Sequence, residues 1–279
     1  MQDKIVLITG STAGIGKATA VGLAKQGNKV VIVGRDAAKA QQAVDDIIAH
    51  SGSKEVDYLT ADLSSQKSVK QLATDFKAKY PRLDVLVNNA GAVYNKYELS
   101  VDGIEMQMAI NHMAYFILTM ELLNYIKQTS PSGRIVNVAS HSHYGGKLDF
   151  DDLFMAKNYG GYTMYERTKL CNVLFTLELA ERLKGSNVTV NALHPGVVKT
   201  DIGKKHGGWL YALGWGFFAN FGISVDKGAA TSIYLASSPE VEGVSGKYWA
   251  KSKHKWHSIY SQKEGLKEKL WEATEKLVK

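Results

Sequence analysis

Tyr165 and Lys169 are the two residues whose types and spacing are best suited to chemistry. They stand four positions apart in a segment with a helical pattern, so their side chains share one helix face. The ordinary pKa of a phenol is about 10, and a neighbouring ammonium favours its ionised form, which makes proton exchange accessible near neutral pH. The same spacing also occurs in plain helix-surface pairs. Tyr162 has Glu166 at this spacing, so Tyr165 is the stronger candidate.

Ser140 ends a buried apolar run, which predicts a hydroxyl at the carboxyl edge of a sheet, where doubly wound folds bind ligands. The alternative is a cap at the strand end. His141 and His143 follow it closely, but two imidazoles without a third convergent ligand are insufficient for a catalytic zinc site. We therefore expect no metal, and we assign both histidines to a pocket wall or a turn.

A glycine-rich turn, Gly10-Ser11-Thr12-Ala13-Gly14-Ile15-Gly16, follows the first strand-like run and opens a helix-like segment. Glycines there let the backbone approach a pyrophosphate, and the helix N-terminus offers free N–H groups and a favourable dipole. Similar glycine spacing also occurs in simple strand-to-helix turns. The position of this turn between a strand and a helix favours a dinucleotide site.

The elements that must position these residues alternate along the chain. Near-continuous Val, Ile and Leu runs are typical of strands buried on both faces, and helix-length segments separate them. The expected strands are 4–10, 29–34, 56–60, 83–90, 134–140 and 187–196. The expected crossover helices are 14–27, 36–50, 65–79, 103–129 and 163–184. This order predicts an α/β fold with a doubly wound parallel sheet.

Composition predicts one globular domain over residues 1–279, since 45% of the residues are hydrophobic, 22% are charged and no Pro-, Ser- or Gly-rich linker interrupts the chain. The net charge of +7 comes from scattered lysines and arginines without a nucleic-acid-binding motif, which favours anionic small ligands or acidic membranes over nucleic acid. Cys171 is the only cysteine, so an intramolecular disulfide is impossible and a reducing compartment such as the cytoplasm is expected.

Two segments interrupt or follow the alternation. Residues 197–225 are rich in glycine and aromatic residues, and residues 209–221 are too short to span a bilayer, which takes about 20 residues. This insertion is interpreted as a lid over an apolar pocket, a membrane-surface contact or a subunit interface, in that order. Residues 261–279 have a helical pattern and are expected to pack on the rim. The chain passes from Met1 directly into the first strand, so a soluble chain with at most peripheral membrane contact is expected.

Several motifs, taken in order, resemble the short-chain dehydrogenase/reductase family over about residues 4–250. The resemblance implies a Rossmann fold and hydride transfer between a nicotinamide dinucleotide and a carbonyl or alcohol. The motifs are the turn from Thr9 to Gly16, Asn88-Asn89-Ala90-Gly91, Ser140, Tyr165-Glu166-Arg167-Thr168-Lys169 and Pro195-Gly196.

The resemblance also implies four catalytic roles. Tyr165 would act as general acid/base, and Lys169 would lower the pKa of its phenol and hold the nicotinamide ribose. Ser140 would orient the carbonyl oxygen. Asn111 resembles the helix asparagine that holds a water in the proton relay, although a polar residue in a helix more often caps it or faces solvent.

The same family likeness implies a cofactor site. Asp62 and Leu63 resemble a pair beside the adenine ring, with a helix N-cap at Asp62 or Ser64 as the alternative. Asn88 is expected to hold neighbouring strands together. The expected cofactor-binding residues are Gly10, Ser11, Thr12, Gly14, Ile15, Gly16, Arg35, Asp62, Leu63, Asn89, Ala90, Gly91, Tyr165, Lys169, Pro195, Gly196, Val198 and Thr200.

The end of the second strand predicts which cofactor is preferred. An acid there would bind a free ribose hydroxyl, whereas a base can pair with a 2′-phosphate. Gly34 stands where NAD-preferring members of the family have an acid, and Arg35 resembles the basic residue of NADP-preferring members. The alternative is that Arg35 is a solvated residue ahead of a helix. We expect NADPH to be preferred over NADH, because guanidinium matches phosphate geometry.

Three further stretches, 148–153, 169–175 and 193–196, resemble the retinol-dehydrogenase-like branch of the family. That branch implies small lipophilic carbonyl or alcohol substrates, often in membrane-associated enzymes. A homo-oligomer is compatible with the pattern. The competing hypothesis is a catalytically idle nucleotide-binding or scaffold protein on the same fold.

Overall fold

The computed structural model describes residues 3–198 and 223–279, and within them eight strands form one sheet in the order β3-β2-β1-β4-β5-β6-β7-β8. All neighbouring strands are parallel except the last pair, β7 and β8. The strands are β1 Ile5–Thr9, β2 Lys29–Gly34, β3 Val56–Thr60, β4 Val85–Asn88, β5 Gly133–Val138, β6 Val188–Leu193, β7 Tyr248–Ala250 and β8 Lys253–Lys255. The six predicted strands are confirmed, and the two three-residue strands at the edge were not predicted.

The crossover helices follow the predicted order. A π-helical turn, Ala109–Met113, joins α4 to α5, so the predicted helix 103–129 is one irregular helix. The helix over Val225–Ser237 was not predicted. The helices are α1 Gly14–Lys25, α2 Ala37–Ser51, α3 Gln66–Lys79, α4 Met106–Met108, α5 Ala114–Thr129, α6 Gly161–Arg182, α7 Val225–Ser237 and α8 Leu266–Leu277.

Both faces of the sheet are covered, which confirms the doubly wound Rossmann-type fold. Successive residues of a strand point to opposite faces, and β1 shows this directly. Ile5 and Leu7 belong to the core under α3, α5, α6 and α8, whereas Val6 and Ile8 belong to the core under α1, α2 and α7. The strand order reverses between β1 and β4, so the crevice for a ligand lies at the carboxyl ends of those two strands.

The predicted C-terminal helix is present as α8, but it packs on the helix layer rather than on the rim. The buried ring of Trp271 lies 4.9 Å from the ring of Phe116 and 5.8 Å from that of Phe175. Cys171 is buried on α6. The predicted lid, 197–225, falls almost wholly outside the described residues.

Candidate active site

The glycine-rich turn lies at the carboxyl end of β1, against the end of β4. Gly10 and Gly14 have φ angles of +63° and +56°, which side chains other than that of glycine rarely adopt. A Cβ on Gly10 would lie 2.6 Å from the Cα of Ala90, and one on Gly16 would lie 2.5 Å from the Nδ2 of Asn89. No described side chain caps the N-terminus of α1. This backbone cradle, with helix N–H groups at its edge, fits a dinucleotide pyrophosphate.

Ser11 follows the first glycine, but its side chain bonds to the protein's own backbone. Its hydroxyl donates to the carbonyl of Ile8 at 2.6 Å and accepts from the N–H of Val33 at 3.1 Å. The residue is fully buried. Ser11 therefore holds the end of β1 against β2, and its hydroxyl lies within the scaffold rather than in the crevice.

Thr9 and Asn89 join the glycine turn to the end of β4. The hydroxyl of Thr9 accepts hydrogen bonds from the N–H groups of Asn89 and Ala90, at 3.0 and 3.1 Å. The amide of Asn89 donates to the carbonyls of Thr9 and Gly10. No role was predicted for Thr9, although a hydroxyl at the last strand position before the turn was a usable signal. The amide of Asn88 bonds across β4 and β5 to Asn137, as predicted.

Lys169 is a buried lysine at the carboxyl edge of the sheet, and burial shifts its pKa. Its ammonium is buried and donates to the carbonyl of Val138 at 3.0 Å. It lies 5.6 Å from the ring centroid of Tyr165 and 5.8 Å from that of Tyr115. Burial lowers the pKa of Lys169 to about 7. The predicted pair of Tyr165 and Lys169 is thus brought together beside the end of β5.

Tyr115 was not predicted to belong to this cluster. Its buried hydroxyl donates to the carbonyl of Ala90 at 2.7 Å, and it lies 3.4 Å from the carbonyl of Val138. Burial raises the pKa of Tyr115 well above its ordinary value, so this phenol remains neutral. Tyr115 therefore links the segment after β4 to the end of β5, near the ammonium of Lys169.

Asn111 lies within the π-helical turn, and its side chain is fully buried. Its amide pairs with the backbone of Ala92 through two hydrogen bonds, of 2.8 and 2.9 Å, and also donates to the hydroxyl of Thr168 on α6. The backbone carbonyl of Asn111 accepts a hydrogen bond from the side-chain amide of Asn172 at 2.8 Å. Asn111 thus joins the segment after β4 to the helix that carries Tyr165. Single π-helical turns occur frequently at functional sites.

Ser140 caps the 3-10 turn His141–Tyr144 that follows β5, so the predicted strand-end cap is present. Its hydroxyl accepts from the N–H of Ser142 at 3.2 Å and donates to the hydroxyl of Ser142 at 3.3 Å. The carbonyl of Ser140 accepts from Nδ1 of His143, whose Nε2 accepts from the N–H of Ser258. Ser140 remains partly accessible at the carboxyl edge.

His143 and His194 bond to backbone groups around this turn, whereas His141 is exposed beside Tyr144. Both ring nitrogens of His143 bond to backbone groups, and burial lowers its pKa to about 4. His194 stacks on Tyr248 at 6.2 Å, and its Nδ1 accepts from the N–H of Gly196. Within residues 3–198 and 223–279, no three His, Cys, Asp or Glu side chains converge on a metal position.

The end of β2 forms the other side of the crevice. A Cβ on Gly34 would lie 2.5 Å from the Cγ2 of Thr12, so an acidic side chain there would displace Thr12. The carboxylate of Asp36 caps α2 by accepting from the N–H of Lys39. Arg35 is exposed between them. Burial raises the pKa of the Tyr94 phenol, and the positive charge of Arg35 opposes this rise.

Asp62 and Leu63 lie after β3, and the alternative interpretation, a helix N-cap at Asp62 or Ser64, is wrong. The cap of α3 is Ser65, which accepts from the N–H of Ser68. The carboxylate of Asp62 instead closes the preceding turn through the N–H and hydroxyl of Ser64. The side chain of Leu63 belongs to the core, so only its backbone is available to a ligand.

The Pro195-Gly196 turn follows β6. Gly196 has a φ of +92°, and a Cβ on it would lie 2.9 Å from the Cδ1 of Ile223. Val198 is buried, and its side chain packs against Gly228 of α7 rather than standing in the crevice. The predicted site residue Thr200 lies outside the described residues.

Comparisons with known proteins agree with this geometry. The family described as short chain dehydrogenase matches residues 4–210. Retinol dehydrogenase 14 of Homo sapiens is 41% identical over 297 residues, covering 100% of this chain and 87% of the relative. Retinol dehydrogenase 12 of Homo sapiens is 39% identical over 271 residues, covering 97% and 85%. An uncharacterized protein from Mycobacterium paratuberculosis has a TM-score of 0.79 at 29% identity, covering 99% of this chain and 94% of that one.

The family match extends over most of the chain, and the relatives align along nearly all of it. The glycine cradle, the buried Lys169 beside Tyr165 and the crevice at the strand reversal fall within the matched region. The chain therefore belongs to the short-chain dehydrogenase family, in its retinol-dehydrogenase-like branch, and is an oxidoreductase that uses a nicotinamide dinucleotide for hydride transfer.

Proposed function

We propose that this protein reduces or oxidises a small lipophilic carbonyl or alcohol with NADP(H), with Tyr165 as general acid/base. The observation that carries the proposal is the buried ammonium of Lys169, 5.6 Å from the centre of the Tyr165 ring at the carboxyl edge of the sheet. A buried ammonium costs free energy, so a negative charge that forms beside it is stabilised. The ammonium of Lys169 therefore favours the phenolate form of Tyr165.

The dinucleotide supplies the hydride that adds to the carbonyl carbon. In the reductive direction, the phenol of Tyr165 gives its proton to the carbonyl oxygen, and the product is an alcohol. The phenolate that remains is stabilised by Lys169, and it regains a proton before the next turnover. The Ser140 hydroxyl donates a hydrogen bond to the same oxygen, so charge that develops there is stabilised. Oxidation of an alcohol follows the reverse order.

The adenosine end of the crevice supports a preference for NADPH. Arg35 is exposed at the end of β2, while the neighbouring carboxylate of Asp36 is occupied in capping α2. An acid at position 34 would have to displace Thr12. A guanidinium without a competing carboxylate at the ribose is suited to a 2′-phosphate.

The entrance to the crevice supports a lipophilic substrate. Val197 is 63% exposed and Ile223 is 37% exposed, beside the turn at Gly196, which is one of the expected cofactor-binding residues. His194, neutral because burial lowers its pKa to about 4, stacks on the buried ring of Tyr248 next to this turn. The names of the two human relatives also indicate a lipophilic alcohol.

The decisive experiment measures turnover of a panel of lipophilic aldehydes, ketones and alcohols, retinaldehyde and retinol included, with NADPH and with NADH. A Tyr165→Phe variant is expected to bind NADPH with unchanged affinity and to lose turnover. Tyr144→Phe is the matched control, because the Tyr144 hydroxyl bonds to the carbonyl of Trp256 instead. Cofactor binding without turnover of any substrate by the unmodified protein would favour the idle nucleotide-binding alternative.

We also propose peripheral contact with an anionic membrane. Trp256 and Ile259 are 77% and 87% exposed, and the lysines at 251, 253 and 255 precede them. No acidic residue occurs between Glu242 and Glu264. Exposed tryptophan beside lysines is typical of interfacial segments. None of the described helices has the length and apolar character needed to cross a bilayer. Co-sedimentation with phosphatidylserine vesicles should weaken in a Trp256→Ser/Ile259→Ser double variant. The control is Val101→Ser, which removes another exposed apolar side chain (82% exposed) and should leave co-sedimentation unchanged.

A further inference from the structure

Two hydroxyl groups connect Ser140 to the surface of the protein. The hydroxyl oxygen of Ser142 lies 3.3 Å from that of Ser140, and the phenol oxygen of Tyr162 lies 3.1 Å from that of Ser142. Ser142 is half-buried in the 3-10 turn after β5, and Tyr162 is 46% exposed in the first turn of α6. These three side chains form a continuous row of hydroxyl groups that ends at the carboxyl edge.

The spacing of this row is held by tight packing between the 3-10 turn and α6. A Cβ on Gly146 would lie 2.6 Å from the carbonyl oxygen of Glu166, and one on Gly145 would lie 2.4 Å from the Glu166 carboxylate. His143 fixes the turn from its other side through the carbonyl of Ser140 and the N–H of Ser258. Ser142 therefore has little freedom to move away from Tyr162.

The hydrogen-bonding capacity of Ser140 decides how the row can act. A serine hydroxyl has one donor and two acceptor positions. The N–H of Ser142 occupies one acceptor position of Ser140. In the structure the Ser140 hydroxyl donates to the Ser142 oxygen. If the Ser140 hydrogen turns to a substrate oxygen instead, that bond reverses, and the Ser142 hydroxyl donates to the second acceptor position of Ser140. The Ser142 oxygen can in turn accept from the phenol of Tyr162.

We infer that Ser142 and Tyr162 are positioning residues that set the direction of the Ser140 hydroxyl during the proposed reaction. With substrate bound, the bond between the two serines reverses: Tyr162 donates to Ser142, Ser142 donates to Ser140, and Ser140 donates to the substrate oxygen. Aligned hydrogen bonds polarise one another, so the last donor is strengthened where negative charge develops. Each hydroxyl keeps its own proton throughout. The inference rests on the proposed function, in which Ser140 binds the reacting oxygen.

The experiment compares kcat and KM for a carbonyl substrate in Ser142→Ala, Tyr162→Phe and Ser142→Thr, with NADPH affinity and melting temperature measured for each variant. One hydrogen bond corresponds to a loss of about five- to tenfold, and we expect this loss in kcat for Ser142→Ala and a smaller loss for Tyr162→Phe. Ser142→Thr restores the hydroxyl and most of the rate. Tyr144→Phe, on the same turn, leaves the rate unchanged.

Two combined variants separate positioning from general damage. Because Tyr162 acts through Ser142, the double variant Ser142→Ala/Tyr162→Phe should be no slower than Ser142→Ala alone. In a Ser140→Ala background, neither substitution should lower the remaining rate. Further losses in that background, or a Ser142→Ala variant with the full rate, would overturn the inference. In the second case, an inactive Tyr165→Phe variant shows that the proposed function still holds, whereas an active one shows that the proposed function itself has failed.

Discussion

Lys169→Met tests whether the ammonium beside Tyr165 is held at a cost to the fold. Burial lowers the pKa of Lys169 from 10.5 to about 7. At about 1.4 kcal/mol per pKa unit, the charged form destabilises the cofactor-free protein by about 5 kcal/mol below pH 7. Methionine removes the charge and keeps a chain of similar length. The hydrogen bond lost at Val138 offsets about 1 kcal/mol of this gain, and Tyr115 remains beside that carbonyl.

The sign of the pH dependence follows from proton binding. Between pH 7 and pH 10.5 the unfolded chain holds a proton on Lys169 and the folded chain does not. Raising the pH therefore stabilises the unmodified protein through this group, by up to about 1.4 kcal/mol per pH unit. The variant lacks this contribution. Its advantage in unfolding free energy should be about 2–4 kcal/mol at pH 6 and should vanish near pH 10.

Urea unfolding of cofactor-free protein at pH 6, 7, 8, 9 and 10 measures the difference. Titrating groups that Lys169 does not contact are present in both proteins and cancel. Lys67→Met, at an exposed position of α3, is the control and should give a difference independent of pH. A Lys169→Met variant that is less stable than the unmodified protein at pH 6, or whose difference does not change with pH, would refute the reasoning. The same variant should be inactive at every pH.

Three further outcomes are expected. Arg35→Gln should raise KM for NADPH about tenfold, by loss of one exposed charge-assisted contact, and leave KM for NADH unchanged in steady-state assays. Thr9→Val leaves the N–H groups of Asn89 and Ala90 without their acceptor. Thermal unfolding should then show that the variant is less stable by about 2 kcal/mol, and titration with the dinucleotide should show a weaker affinity. Burial lowers the pKa of His143 to about 4, so protonation of this residue favours the unfolded chain. The free energy of unfolding, measured with urea, should therefore fall as the pH drops from 6.5 to 4. In His143→Gln this fall should be less steep.

The central sheet was predictable because parallel strands buried on both faces leave continuous apolar runs in the sequence. β7 and β8 leave no such run, since each has three residues and those of β8, Lys253–Lys255, are all exposed. The helix Val225–Ser237 did leave a signal, because Ser224 caps it by accepting from the N–H of Lys227. This helix follows the aromatic insertion directly. It was not predicted because no strand-like apolar run precedes it in the sequence.

The site was predictable in residue type and less so in what each side chain contacts. Tyr165 and Lys169 were paired from their spacing, and the structure places them together. Tyr115 could not be assigned, because nothing local distinguishes a tyrosine that reaches the ends of two strands from one that fills the core. Ser11 and Val198 match the motif, yet their side chains are directed into the protein. A motif specifies the path of the backbone at these positions more than the role of each side chain.

Asn111 shows why a matching residue type does not by itself establish a role. The resemblance assigns it to a water in the proton relay, but its amide oxygen and nitrogen already bond to Ala92 and Thr168. The backbone carbonyl of Asn111 accepts a hydrogen bond from Asn172, and a carbonyl oxygen has a second lone pair. A water held by Asn111 would therefore bond to that carbonyl rather than to the side chain. Because the carbonyl's position depends on the π-helical turn, the geometry of the backbone matters more at this position than the amide that the sequence displays.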